Sequence, residues 1–406
     1  MASTLRLTEY QRSAAVRLEP ELRDALIGAI PGITVAPASG ERDTYELTPS
    51  SWVGVAALPG LLVEVKPKIP VDRLLFLLSY SLHKRGWKIQ DAALDPSKGL
   101  LEAFVPIFCE VVRRAVHRDL LQGYRTEEDA LQTVRGRIRF DDQIRDRFGI
   151  FPPIEVRYDD FTVDTNMNRL IKAAVHRLGR LTVRSAQARS ELRRLAARFR
   201  PVTLAPFEAR KLPEFFYDRL TDRYRPALEL ASLVLRATSV ELRAGALAAP
   251  SLLVDMNQVF EDFVVTALRE ELSLGESRFP QNCRGQRMRL DTGGRVKLEP
   301  DLSWWEAGRC VFVGDAKYKR LETKGFKNGD LYQMLAYCTA ADLPGGLLVY
   351  AAGEGDVGNY EIVHADKTIE VVHLNLDGTP ETVLREIGAL AERVRRWRQS
   401  SIRPAA

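Results

Sequence analysis

The residues whose types and spacing could do chemistry are Pro300-Asp301 and, fourteen positions on, Asp315-Ala316-Lys317. Between them Trp305–Arg309 reads as a chain reversal, so two strands joined there can bring both carboxylates to one sheet edge. At about 4 Å and an effective dielectric near 20, two such charges repel by roughly 4 kcal/mol. The pair therefore persists only if a proton or a cation neutralises it. Mg²⁺ accepts one or two carboxylates, prefers oxygen ligands and keeps waters for a substrate phosphate, so Asp301 and Asp315 are candidate metal ligands. Side chains two apart on a strand share a face, which sets Lys317 beside Asp315. An ammonium there can orient a water and stabilise charge developing on phosphorus.

Two flanking segments could add to this set. Glu261, in Asp255-Met-Asn-Gln-Val-Phe-Glu261, sits beside the apolar stripe of a helix and could supply a further carboxylate. In Asp330-Leu-Tyr-Gln-Met-Leu-Ala-Tyr337, Gln333 and Tyr337 are four apart and share a helical face, able to brace the lysine or contact a phosphate. Each has a duller reading: Glu261 as a solvated helix residue, Gln333 as partner of Asp330 in a capping box.

The elements that must position these residues read as alternating helix and strand. Met256, Val259, Phe260, Phe263, Val264, Ala267 and Leu268 trace an amphipathic helix. Asp291-Thr-Gly-Gly294 reads as a hairpin turn, Val311–Lys317 as a buried strand, and a helix begins near Asp330. Leu347–Tyr350 and Ile369–Leu374 are further strands, and Thr379-Pro380 caps a final helix. Upstream, Leu61–Lys66 is a strand ended by Pro67 and Pro70, with Asp72 placed to cap a helix to Leu82. A helix over about 100–118 carries Leu101, Phe104, Val105, Phe108, Val112 and Ala115 on one face. Thr133–Phe140 alternates basic and apolar residues around Gly136, as a basic-faced strand or an exposed loop. Residues from about 164 to 200 look helical and arginine-rich, Pro201 stops them, and 221–242 is helical again. The small-residue segment Ala244–Pro250 suggests a domain boundary.

With 406 residues, 45% hydrophobic and 28% charged, the chain has globular composition and room for two or three domains. Apolar runs such as Leu74–Leu78 fall far short of the roughly 20 residues a bilayer needs, and the first residues lack a signal-like apolar stretch. No membrane association and a cytoplasmic setting are the expectation. Cys109, Cys283, Cys310 and Cys338 have no C-x-x-C spacing, so they read as scattered core thiols. The five histidines show no H-E-x-x-H spacing, and neither a G-x-S-x-G elbow nor a phosphate-binding G-x-x-x-x-G-K-[ST] loop is present. A net charge of +5 permits nucleic-acid binding. The arginine-rich stretch 176–200 and Arg393–Arg398, with Trp397 among them, are candidate backbone-contacting surfaces or simply solvated helix faces.

The string Glu261…Pro300-Asp301…Asp315-Ala-Lys317…Gln333-xxx-Tyr337 resembles the PD-(D/E)xK nuclease superfamily, in the branch with a Q-x-x-x-Y helix. With Asp315-Ala-Lys-Tyr318, Leu62-Val-Glu-Val-Lys-Pro-Lys68, Gly136-Arg137-Ile138 and Asp164-Thr-Asn-Met-Asn-Arg169, the chain from about 50 to 350 resembles the McrC family, nuclease subunits of McrBC-type modified-cytosine restriction systems. The resemblance implies an α/β protein: a mixed α+β partner-binding domain over 1–160, a helical connecting region over 161–250, and a PD-(D/E)xK restriction-endonuclease-like domain over 251–406. It implies Mg²⁺ on Asp301, Asp315, Glu261 and the Ala316 carbonyl, catalysis by these acids with Lys317 and Gln333, and cleavage of double-stranded DNA carrying modified cytosine. It further implies a hexameric McrB-like AAA+ GTPase partner, which binds the GTP and whose GTPase the N-terminal region stimulates. Arg135–Arg139 is one candidate for that contact. The alternatives are an assembly and GTPase-stimulating subunit with weak nuclease activity, or a stand-alone repair nuclease.

Overall fold

A computed structural model describes residues 3–39, 42–82, 99–209, 211–238, 251–283, 285–286, 288–318, 328–351 and 357–402. The chain divides into two units that do not follow each other in sequence. One comprises residues 1–55, 60–100 and 253–406, the other 56–59 and 101–252. This differs from three consecutive domains of 1–160, 161–250 and 251–406, because early residues such as Phe76 and Tyr80 pack against Phe263.

The first unit opens with β1 (Ser3–Thr8), β2 (Val16–Arg17), α1 (Pro20–Ala29), β3 (Thr34–Pro37), β4 (Thr44–Thr48), β5 (Trp52–Leu58), β6 (Leu61–Lys66) and α2 (Val71–Leu82). β6 is buried along most of its length, as a strand of Leu and Val should be, and runs parallel to β1 with Ser3 opposite Leu61 and Thr8 opposite Lys66. β6 ends at Lys66, just before Pro67, and α2 starts right after Pro70 with Asp72 inside its first turn rather than as its cap. β2, β4 and β3 form a small antiparallel sheet.

The second unit holds α3 (Leu100–Ala115), β7 (Gly123–Leu131), β8 (Arg137–Ile138), α4 (Phe140–Arg147), β9 (Ile154–Thr162), α5 (Asn166–Gly179), α6 (Ala186–Arg198) and α7 (Arg225–Ala237). The apolar residues expected on one face of α3 are all buried. β7 and β9 pair antiparallel over nine residues each, and only Arg137 and Ile138 of the basic-apolar stretch join them as an edge. The long pair was not legible in the sequence, since Gly-Tyr-Arg-Thr-Glu-Glu-Asp-Ala-Leu lacks the apolar alternation of a half-buried strand. The arginine-rich stretch is two helices, broken at Arg180–Ser185, where Ser185 caps α6 by accepting from Ala188 N. The Asp164-Thr-Asn-Met-Asn-Arg169 motif is a fastening. Asp164 accepts from Arg125, Arg169 and Thr203, Thr165 caps α5, and buried Asn168 donates to Leu121 O and Val163 O. The segment 244–250 and the end of the 221–242 stretch lie outside the described residues.

The chain then returns to the first unit through β10 (Ser251–Asp255) and α8 (Met256–Glu271), followed by β11 (Met288–Arg289), β12 (Lys297–Leu298), β13 (Leu302–Glu306), β14 (Arg309–Lys317), α9 (Asn328–Ala340), β15 (Gly345–Ala351), β16 (Gly358–Ile362), β17 (Lys367–Leu374) and α10 (Pro380–Ile402). β10 completes a four-stranded sheet in the order β1-β6-β5-β10, so the N-terminal strands lead directly into α8. Every residue of the expected α8 stripe is buried. Phe263 lies edge-on against Phe76 and Tyr80 of α2 at 5.6 and 5.4 Å, contacts worth about 0.5–1.5 kcal/mol each beyond burial.

The main sheet runs β13-β14-β15-β17-β16, antiparallel at its two edges and parallel in the middle. Gly345 and Gly346 open β15 and point to opposite faces. A Cβ on Gly345 would lie 2.5 Å from the Trp397 ring of α10 and 2.0 Å from Thr368 O, and one on Gly346 would lie 2.6 Å from Met334 Sδ of α9. These two positions let helices close on both sides of the sheet. Cys283, Cys310 and Cys338, distant in sequence, share the core between α9 and the sheet. No helix among the described residues is long and apolar enough to cross a membrane.

Candidate active site

The β13–β14 register sets the geometry. Leu302 pairs with Gly314, so Asp301, just before β13, stands beside the segment that carries Asp315. Ala316 N donates to Asp301 Oδ2 at 3.0 Å. On extended backbone the Ala316 carbonyl leaves the strand on the same side as its N–H, toward Asp301. Alternation turns Val313, Asp315 and Lys317 to the α9 face, where Val313 belongs to the core. Asp315 is 1% exposed, and the Lys317 ammonium pairs with its Oδ2.

Burial holds both aspartates above the usual carboxylate range. Glu261 adds to the effect on Asp301, and Asp301 adds to it on Asp315, while Lys317 offsets only part. Glu261, on α8, is pushed up to about 7 by burial, with Asp315 adding to the shift and Lys317 opposing it. Burial pulls the Lys317 ammonium down, but Asp315, Asp301 and Asp330 together leave it raised. Three carboxyl groups thus cluster about one ammonium, and burial and mutual repulsion favour their holding protons unless a further cation joins them.

Gln333 and Tyr337 do meet across one turn: Gln333 Nε2 donates to Tyr337 Oη at 2.7 Å, and the buried tyrosine reaches Glu299 O at 3.4 Å. The capping box does not form, because α9 begins at Asn328 and the Asp330 carboxylate accepts from Tyr350 Oη at 2.7 Å. Asp330 and Tyr350 border the acids; the sequence offered Asp330 only as a helix start and capping partner, and gave Tyr350 no role. Only the parallel register, which sets Lys317 opposite Tyr350, brings them there. Asp315 Oδ2 has the Lys317 ammonium, while the buried Oδ1 accepts no hydrogen bond, an open demand that a cation fits. Among the described residues no three His, Cys, Asp or Glu side chains form a ready-made cage, and Glu261 is not placed as a third ligand. Two carboxylates and a nearby carbonyl suit a hard ion that keeps its waters.

The other candidates are elsewhere or occupied. Arg393 pairs with Glu370, Trp397 Nε1 donates to Glu370 at 2.7 Å, and Arg398 grips Glu306 with two bonds of 3.0 Å. The Arg393–Arg398 cluster therefore chiefly fastens α10 to the sheet. In the second unit Arg135 pairs with Asp160 and stacks over Tyr158, and Arg139 pairs with Glu128 and Asp142. His83 lies outside the described residues.

Residues 47–351 match the family described as McrBC 5-methylcytosine restriction system component. The chain belongs to that family. Among solved structures, a chain of the refined half-complex from a tetradecameric assembly of Thermococcus gammatolerans McrB AAA+ hexamers with bound McrC is similar in fold. Its TM-score is 0.59 at 16% identity, covering 97% of this chain and 100% of that one. A chain of the Thermococcus gammatolerans McrBC complex determined by cryo-EM is similar with a TM-score of 0.42 at 20% identity, over 66% of this chain and 88% of that one. No curated protein matches. Within the McrBC match lie Lys66–Lys68, Gly136–Ile138, Asp164–Arg169 and all the clustered acids.

Proposed function

We propose that this McrBC family member is the nuclease subunit of a GTP-driven restriction complex, a Mg²⁺-dependent endonuclease of the PD-(D/E)xK type acting on double-stranded DNA with modified cytosine. The observation that carries this reading is the buried Asp301–Asp315 pair with Lys317 against it. A sheet whose antiparallel hairpin delivers both acids to one strand end, followed by a helix and parallel strands, supports the superfamily assignment. Asp301, Asp315 and the Ala316 carbonyl would hold the ion, with Glu261 adding negative field. When bound, Mg²⁺ would polarise a phosphoryl oxygen and lower the charge cost of the reaction. Lys317, kept cationic by its acidic neighbours, orients the attacking water and faces the charge that develops on the phosphate. Buried Tyr337 holds exposed Gln333, whose amide can meet the DNA backbone.

The second unit supports a GTP-hydrolysing AAA+ hexamer as partner; the similar Thermococcus structure is named for McrB AAA+ hexamers with bound McrC. Its β7–β9 ribbon and α4 expose Tyr124, Phe140, Ile144, Phe148 and Ile150, with Phe148 at 87%, and such apolar side chains seek a protein surface. Arg137, exposed and without a carboxylate partner among the described residues, is the candidate to reach the partner's nucleotide. The test is cleavage of modified DNA by the chain with its GTPase partner, GTP and Mg²⁺. Chelator should abolish it, and Lys317→Ala should lower kcat about 10²-fold or more. Cleavage that persists in chelator would refute the metal-dependent reading.

A further inference from the structure

The nuclease site has an open side. β13 pairs with β14 only as far as Gly314, so Asp315, Ala316 and Lys317 are flanked by β15 alone and β13 gives them no ladder. What holds the strand end there is the Ala316 bond to Asp301 and, next in the chain, Tyr318. Tyr318 Oη donates to Glu9 Oε1 at 2.7 Å across 309 positions of sequence, and Lys68 N donates to the same oxygen at 2.6 Å. Glu9 extends the β1–β6 pairing, with its N–H on Lys66 O at 3.0 Å, and it is fully buried. The Tyr318 ring lies 6.1 Å from that of Phe260, the residue before Glu261. The start of α8 is tied to the same region by Met256 N on Ser51 O at 2.9 Å.

We infer that Glu9 is a positioning residue for the nuclease site, fixing Lys317 and Asp315 through the Tyr318 hydroxyl and the Lys66-Pro-Lys68 turn. This rests on the nuclease reading above and extends it to the first strand of the chain. Burying a carboxyl group is costly unless it is hydrogen-bonded, and here one oxygen gathers two donors from segments far apart in sequence. The arrangement gives the Leu62–Lys68 motif a purpose that its own position does not reveal. Lys68 presents its N–H to the acid that steadies the Asp-Ala-Lys-Tyr318 strand. A ligand pair displaced by about 1 Å loses on the order of 10²-fold in rate.

The test uses the full chain with its GTPase partner, GTP, Mg²⁺ and modified DNA. Tyr318→Phe, which keeps the ring against Phe260, should lower kcat about tenfold or more. KM for DNA, GTPase stimulation and the folded fraction at the assay temperature should stay near wild type, whatever small drop in melting temperature the lost hydrogen bond causes. Glu9→Ala should produce a similar kcat loss, Glu9→Gln should recover part of it by keeping an acceptor oxygen, and Glu9→Ala/Tyr318→Phe should lose little more than either alone. If Glu9→Ala fails to fold, Tyr318→Phe and Glu9→Gln decide the matter. Wild-type kcat in Tyr318→Phe, or a loss matched by an equal fall in folded fraction, overturns the inference. Asp315→Asn in the same assay separates the two claims: if it cuts like wild type, the nuclease reading has failed, whatever Glu9 does.

Discussion

Asp301 and Asp315 are held above the usual carboxylate range, by burial first and then by neighbouring acids, which gives the site a defined response to pH. A carboxyl group whose folded pKa exceeds its unfolded one contributes stability that is full below the unfolded value and is lost as pH rises through the folded value. In chelator, the protein should therefore lose stability from these groups as pH climbs above about 4. A divalent ion competes with the same protons, so its binding should strengthen as pH rises. Thermal melting should show Mg²⁺ raising Tm at pH 8, little effect at pH 5, and none in Asp315→Asn. At about 100 times Kd the stabilisation is about 2.7 kcal/mol. An equal Mg²⁺ effect at both pH values would refute this account of the acids. The aspartates and Lys317 were legible in the sequence because a hairpin and a two-residue period suffice to group them. The contacts of Asp330, Tyr350, Glu9 and Tyr318 were not, although Tyr318 closes the Asp315-Ala-Lys-Tyr318 motif, since their partners depend on sheet register and on strands hundreds of residues away.

At the scale of elements, Gly345 and Gly346 set how closely α10 and α9 approach β15. Thr368 O, a backbone atom, would lie 2.0 Å from a Cβ on Gly345 and cannot rotate away. Gly345→Ala should cost about 1–3 kcal/mol by overpacking, measurable by urea denaturation, and an unchanged midpoint would contradict this packing. Gly136 combines a positive φ of +69 with a similar clash: a Cβ there would lie 2.4 Å from Arg157 O. Gly136→Ala should detach β8 from β9 and weaken GTPase stimulation while DNA cleavage chemistry at the acids is spared. Stimulation at the wild-type level would remove the ribbon from the partner contact. Apolar period gave away α3, α8, β14, β15 and β17, because each buries a face; the half-exposed edge strand β16 gave no such signal. The period also missed β7 and α4, whose charged and exposed residues bury almost none.

Across the whole molecule, the first hundred residues belong to the same compact unit as the last hundred and fifty. A linear reading placed the boundary near residue 250, and such a fragment would strip Phe263 of Phe76 and Tyr80 and leave Tyr318 without Glu9. A chain of residues 251–406 should therefore lack a cooperative thermal transition by circular dichroism, and a sharp transition near that of the full protein would refute the shared core. The second unit exposes Tyr124, Phe140 and Phe148, the surface on which the proposed partner contact rests. The most direct measurement of the central claim is strand cleavage and GTP hydrolysis followed together in one reaction of Asp315→Ala with the GTPase partner, modified DNA, GTP and Mg²⁺. Loss of cleavage with GTP hydrolysis stimulated as by wild type is the predicted result; undiminished cleavage would contradict it.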